Sequence, residues 1–222
     1  TGAYTARKFA KSGYQVAMLA RDNIRLSKLE KELPNSKAFI CDVSDIVKLK
    51  NTCKKIKKEM GSPEVLIHNA VKGNFEKLLE GKPEWLEENF RINTTSLMYL
   101  AHELIPNMIT NKKGVIIVTG NTAAKRGVAN TPYFAPTKAA QRILAQSLAK
   151  DFGPKGIHVA YIMIDAFINT PWTRKRIPAQ IDQPDNIFTQ PKEIAEEIYH
   201  IAHQNRSAWS FDVEIRPDIE KW

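Results

Sequence analysis

The sequence predicts an α/β fold, a doubly wound parallel sheet of Rossmann type with helices on both faces. Three observations predict it. Short apolar runs alternate with longer helical patterns from one end of the chain to the other, the signature of parallel strands joined by crossover helices. The runs VAMLA, VLI and VIIV are almost continuously apolar, as strands covered on both faces must be. Residues of recognisable chemistry follow the ends of these runs, the side on which open α/β sheets bind ligands.

Each element has its own signal. Strands are expected at 15–20, 37–41, 64–68, 114–119, 157–164 and 208–215, and helices at 5–12, 22–33, 44–60, 83–110, 132–152 and 191–204. Leu26, Leu29 and Leu33 keep the spacing of one helical face, as do Leu144 with Leu148, and Ile194 with Ile198 and Ile201. A Rossmann unit also begins with a strand and a glycine-rich turn, whereas this chain opens on Thr1-Gly2-Ala3 and passes at once to a helical pattern. By that geometry roughly six residues are missing between Ala3 and Tyr4, together with a first strand, for about seven strands in all.

With 222 residues, 43% of them hydrophobic, the chain supports one large core and so one domain over 1–222. No stretch approaches the roughly 20 apolar residues of a membrane helix, and the first residues lack the pattern of a signal peptide. A cytoplasmic protein without membrane attachment is therefore expected. Cys41 and Cys53 stand outside any CxxC, suggest no metal and are expected to be inert. A net charge of +9 raises nucleic acid as a partner. Yet Lys48, Lys50, Lys54, Lys55, Lys57 and Lys58 share one amphipathic helix whose Ile46, Val47, Leu49 and Ile56 are expected to face the core, which makes the lysines a solvated face. No aromatic platform accompanies them, and nucleic acid is not expected.

The strand ends carry, in order, Thr1-Gly2, Asp42-Val43, His68-Asn69-Ala70, Asn93 in a long helix, Lys138, and Ile168 with Thr170. In that order and spacing the full chain resembles the short-chain dehydrogenase/reductase family, with its TGxxxGxG start, its NNAG element and the lysine of its YxxxK. The resemblance implies an NAD(P)-dependent oxidoreductase acting on a small carbonyl or alcohol. It places the dinucleotide against Gly2, Ala3, Arg21, Asp42, Val43, Asn69, Ala70, Lys138, Ile168 and Thr170. It also implies a homodimer or homotetramer, formed through helices 83–110 and 132–152 and the last strand, and a substrate lid at 172–188. The run Arg174-Lys175-Arg176 in that lid hints at an anionic substrate, and a solvated lid face explains it as well.

Arg21 follows the second expected strand, where the adenosine ribose would lie. A guanidinium there grips a 2′-phosphate, whereas an acidic residue would accept the ribose hydroxyls of NAD, so Arg21 favours NADP over NAD. An ordinary surface arginine ahead of a helix reads the same way, with Asp22 as that helix's cap; Asp42 could equally cap the helix after it. Asn93 lies in Ile92-Asn93-Thr94-Thr95-Ser96, a run of poor helix formers inside a strong helix, which predicts a kink or bulge. In the family this asparagine holds a water that relays protons to the active-site lysine.

The catalytic positions depart from the family pattern. Its tyrosine should stand four residues before Lys138, and Phe134 stands there instead. Tyr133 is rotated by about 140° from Lys138 on an ideal helix and could serve only if the helix start, near Pro136, were rewound. Family spacing puts Asn121 where a serine is expected; Asn121 can donate to a carbonyl oxygen, and Thr122 offers a hydroxyl beside it. The catalytic candidates are therefore Lys138, Asn93, Asn121, Thr122 and Tyr133, with no metal. A general acid typically contributes a factor of about 10² to 10⁴, so its loss leaves two readings: an oxidoreductase of non-standard chemistry, or a catalytically weak dinucleotide-binding sensor or scaffold.

Overall fold

The apolar runs become the middle of a parallel sheet because both of their faces are covered. In the computed structural model, which describes residues 1–176 and 187–219, β4 (Gly114–Gly120) and β5 (Ile157–Ile164) lie between β3 (Val65–His68) and β8 (Asp212–Ile215) in the order β3-β4-β5-β8. All three pairings are parallel. Every residue of β5 is buried. Alternate side chains divide between two cores, as the two-residue period of a strand requires. Ile116, Val118, Val159 and Met163 pack with Leu97, Leu104, Ala145 and Leu148 of α5 (Ser96–Thr110) and α6 (Ala135–Phe152). On the other face Ile117, Ala160 and Ile162 pack with Phe9 of α1 (Gly2–Lys11) and with Ile194, Ile198 and Ile201 of α8 (Pro191–Ala202).

A second parallel pair, β1 (Val16–Ala20) with β2 (Ser36–Ile40), packs on α2 (Asn23–Glu32). The remaining elements are α3 (Ile46–Met60), α4 (Glu84–Phe90), β6 (Phe167–Ile168), α7 (Pro171–Arg176) and β7 (Phe188–Thr189). Among the described residues no helix is long and apolar enough to cross a membrane.

Strands β1 and β3 do not pair with each other. Both line one cavity of about 1110 Å³, together with Phe9 and the start of α1. The gap lies between two strands that each pair on one side only. The expected break between Ala3 and Tyr4 is absent. α1 runs unbroken through them, and the amides of Tyr4 and Thr5 donate to the Thr1 carbonyl at 2.9 and 3.1 Å. Gly2 thus stands at the first helical position, where the last glycine of a phosphate loop would be.

Two local expectations are also corrected. Val47 is 71% exposed: the core face of α3 is Leu49, Cys53 and Ile56, and a residue two positions before Leu49 points about 160° away from it. Cys53 is therefore a core residue, and burial pushes its thiol up to about 11, which keeps it protonated and unreactive. The last strand starts at Asp212, four residues later than expected, because Arg206–Ala208 close a 3₁₀ turn.

One close contact in this sheet lies directly before Asn121. Gly120 ends β4 over the side chain of Tyr161 in β5, and a Cβ at Gly120 would fall 2.0 Å from the Tyr161 hydroxyl oxygen. The fully buried phenol cannot move aside. Gly120→Ala is predicted to cost about 1–3 kcal/mol through overpacking, read as a lower midpoint in urea unfolding; an unchanged midpoint would refute the packing argument.

Candidate active site

The site assembles where α5 and α6 meet the carboxyl ends of β3 and β4. The poor helix formers predicted to distort their helix do so: Arg91–Thr95 form a π turn between α4 and α5, with Ile92 and Asn93 buried. This turn is stitched to the amino end of α6. Asn93 Nδ2 donates to Thr137 Oγ1 at 2.8 Å and to the Lys72 carbonyl at 2.9 Å, and its Oδ1 accepts from the Lys72 amide at 2.9 Å. Thr94 Oγ1 donates to the Thr137 carbonyl, and Asn89 Nδ2 to the Tyr133 carbonyl. An asparagine saturated in this way fixes both helices at once.

Lys138 lies one turn into α6 and is 1% exposed. Its Nζ donates to the Thr119 carbonyl at 3.2 Å and to Gln141 Oε1. Burial alone brings the amine down to about 7, because a cation loses hydration there without a carboxylate to replace it. Gln141 Nε2 donates to the Asn93 carbonyl at 2.5 Å and faces His68 Nδ1 at 3.2 Å. His68 Nε2 meets Ser96 Oγ at 2.8 Å, and Ser96 Oγ donates to the Ile92 carbonyl at 2.6 Å. His68, Gln141, Asn93 and Ser96 are all buried. His68 is thus a packed histidine; burial, then the neighbouring Lys138, depress it to about 3.

The structure does not bring Tyr133 to Lys138. α6 starts only at Ala135, so Tyr133 lies before the helix with its hydroxyl donating to the Leu78 carbonyl and its ring edge-on to Trp85 at 5.7 Å. Gly81 packs so closely against that ring that an added Cβ would lie 2.3 Å from it. Pro136 sits in the first turn without rewinding it. Phe134 holds the place one turn before Lys138, buried and 4.9 Å from the Phe75 ring. Asn121 follows β4 in extended backbone, with its Oδ1 buried and unpartnered among the described residues, and Thr122 starts a short 3₁₀ turn.

The expected dinucleotide residues divide into three groups. Gly2, Ala3, Arg21, Asp42, Val43, Asn69 and Ala70 share the cavity that continues into the gap between β1 and β3. The amino end of α1 supplies backbone N–H groups there, and an added Gly2 Cβ would lie 3.2 Å from Asn69 Nδ2. Asn69 Oδ1 in turn accepts from Thr119 Oγ1 at 3.0 Å. Lys138 is apart from this cavity, held inward as described. Ile168 packs on the α8 core, and Thr170 Oγ1 accepts from the Thr173 amide at the start of α7.

Arg21 and Asp42 face one another at 3.9 Å, with the arginine side chain largely exposed. Both open cap questions are answered. Asp22 caps α2, accepting from the Arg25 amide, and α3 is capped by Asp45, not by Asp42. Asp42 accepts instead from the amide and hydroxyl of Ser44. Burial pushes the Asp42 carboxyl up, and the two Ser44 hydrogen bonds with Arg21 outweigh it, leaving it below its usual value.

Sequence reasoning missed Thr119, Ser96 and Gln141. Only Gln141 had a signal: a polar side chain three residues after Lys138, on the same helical face.

The fold and site define a Rossmann-type α/β domain with a cleft at the carboxyl ends of its strands. The chain belongs to the short chain dehydrogenase family, whose sequence model matches residues 1–180. It is 31% identical to a dehydrogenase/reductase SDR family member 6 of Aquarana catesbeiana, over 82% of this chain and 72% of that one. It is 24% identical to an uncharacterized oxidoreductase of Staphylococcus saprophyticus, over 97% and 92%. Among solved structures it superposes on an NADPH-bound short chain oxidoreductase of Pseudomonas aeruginosa PAO1 with an atypical catalytic center, at a TM-score of 0.87 and 21% identity over 100% and 94% of the two chains. A metagenomic short-chain oxidoreductase in complex with NADP gives 0.83 and 24% over 99% and 92%. These structural likenesses carry the fold.

The His68 network makes stability depend on pH with a definite sign. A group depressed from 6.5 to about 3 binds its proton more readily in the unfolded chain, so its contribution is complete above pH 6.5 and is lost as pH falls toward 3. The limiting slope is about 1.4 kcal/mol per pH unit. Thermal unfolding of the native chain should show this loss between those limits, and His68→Asn should flatten it; equal slopes would contradict a buried neutral His68.

Proposed function

We propose that this protein is an NADP-dependent oxidoreductase of the short-chain dehydrogenase/reductase type, acting on a small carbonyl or alcohol from a site with no phenolic acid. The observation that carries this reading is the convergence of Gly2, Ala3, Arg21, Asp42, Val43, Asn69 and Ala70 on one cavity, in a chain that belongs to this family. The donor set fits a dinucleotide. The amino end of α1 offers amides to a pyrophosphate, and exposed Arg21 offers a guanidinium to a 2′-phosphate. Asn69 and Ala70 would line the middle of the groove, and Ile168 and Thr170 would reach the carboxamide end.

Bound there, the nicotinamide would supply the hydride. The chain's own part is to position and polarise: Lys138 supplies a buried amine, Asn93 fixes the two helices, and Asn121 Nδ2 with the Thr122 hydroxyl offers hydrogen bonds to a carbonyl oxygen. The buried, unpartnered Oδ1 of Asn121 is an acceptor and so fits the hydroxyl of an alcohol rather than a carbonyl oxygen, which only the Nδ2 of Asn121 or the Thr122 hydroxyl could reach as a donor. Neither tyrosine position supplies an acid. The protein is expected to work as a homodimer or homotetramer through α5 and α6, where Met98, Ile109 and Ile143 are exposed. Of the lid expected at 172–188, residues 177–186 lie outside the described residues.

Titration of the purified chain with NADPH and NADH, followed by cofactor fluorescence, tests the binding half. NADPH should bind more tightly, and Arg21→Ala should weaken it by about tenfold, the loss of one charge-assisted contact, with NADH unchanged. Absorbance over a carbonyl panel tests the chemistry. Slow oxidation of NADPH that rises in Phe134→Tyr is expected. Tight binding without turnover on carbonyls that Phe134→Tyr does reduce would favour the sensor reading, and no binding of either cofactor would end both.

A further inference from the structure

The carboxamide of Gln141 stands between the Asn93 carbonyl and the Lys138 amine, touching both. Its orientation is determined by its partners. Reversed, it would set one carbonyl oxygen against another at Asn93 and an amide N–H₂ against the lysine amine. With Nε2 toward Asn93, its other hydrogen points to His68 Nδ1 at 3.2 Å. That acceptor role places the His68 proton on Nε2, which donates to Ser96 Oγ, and Ser96 donates onward to the Ile92 carbonyl. The whole run has one consistent direction and no free end, and each of its side chains is 0–2% exposed. It ends in a main-chain carbonyl rather than in solvent.

We propose that Gln141 is a positioning residue that clamps Lys138 on the Thr119 carbonyl and shuts the amine off from solvent protons, in the place where the family resemblance puts a relay water. A water accepts and donates through the same oxygen and can turn. A carboxamide has a fixed donor end and a fixed acceptor end, so it cannot hand on a proton without becoming an imidic acid. Two departures at this site then belong together. Phe134 removes the group that would give up a proton, and Gln141 closes the route by which such a group would be recharged.

The proposal rests on reading Lys138 as part of the site, and its test needs no dinucleotide. In the chain labelled with ¹⁵N at lysine and histidine, NMR reads the exchange of the Lys138 Nζ protons and the tautomer of His68. The expected results are slow exchange and an Nε2–H tautomer in the native chain. Gln141→Ala makes room for water and should speed Lys138 exchange by about tenfold or more, the effect of losing roughly one hydrogen bond, with backbone amide exchange in β4 unchanged. Gln141→Met, which keeps the volume, serves if the alanine variant does not fold; it should mix the His68 tautomers. Equal Lys138 exchange in the native chain and Gln141→Ala, or an unchanged His68 spectrum in Gln141→Met, overturns the proposal. Failure of NADPH to bind would leave these spectra as they are, so the two readings fail separately.

Discussion

A lysine amine buried without a carboxylate is the constraint around which the rest of this site is arranged. Lys138 has two acceptors, the Thr119 carbonyl and Gln141. A buried cation is tolerated only when its hydrogen bonds are supplied by groups that cannot drift. Here they cannot: Thr119 is in the middle of the parallel sheet, and Gln141 is held by the Asn93 carbonyl in the π turn. The sheet, the distorted helix and α6 are therefore positioned by one another through this amine.

The same economy explains why the π turn persists. A five-residue run of Arg-Ile-Asn-Thr-Thr is weak as an α-helix, yet in the fold Asn93 and Thr94 spend their side chains on the backbone and Thr137 of α6. Propensity lost locally is returned as hydrogen bonds between helices. On the sheet side, the Tyr161 phenol leaves no room for a side chain at Gly120, the residue directly before Asn121.

Much of this was legible in the sequence. Nearly continuous apolar runs identified the inner strands, as burial of β4 and β5 on both faces demands, and the conflict at Asn93 announced the bulge. Phe134 and Asn121, by position alone, raised the expectation of non-standard chemistry. The start of α1 was not legible: a helical pattern starting near Thr5 looks the same whether a break precedes Tyr4 or not, and only the hydrogen bonds to Thr1 decide it. The fate of Tyr133 was open for a similar reason, since its anchor Leu78 lies in a distant loop without periodicity. The Gln141–His68–Ser96 run joins three elements far apart in sequence, and no local pattern encodes such a meeting.

A crystal structure of the chain with NADPH at neutral pH tests the central claim most directly. The account predicts the 2′-phosphate at Arg21, the pyrophosphate at the amino end of α1, and the nicotinamide beside Asn121 with Lys138 still hydrogen-bonded to Gln141. A dinucleotide bound away from Gly2, Arg21 and Asn69, or one whose nicotinamide lies far from Asn121, would contradict it.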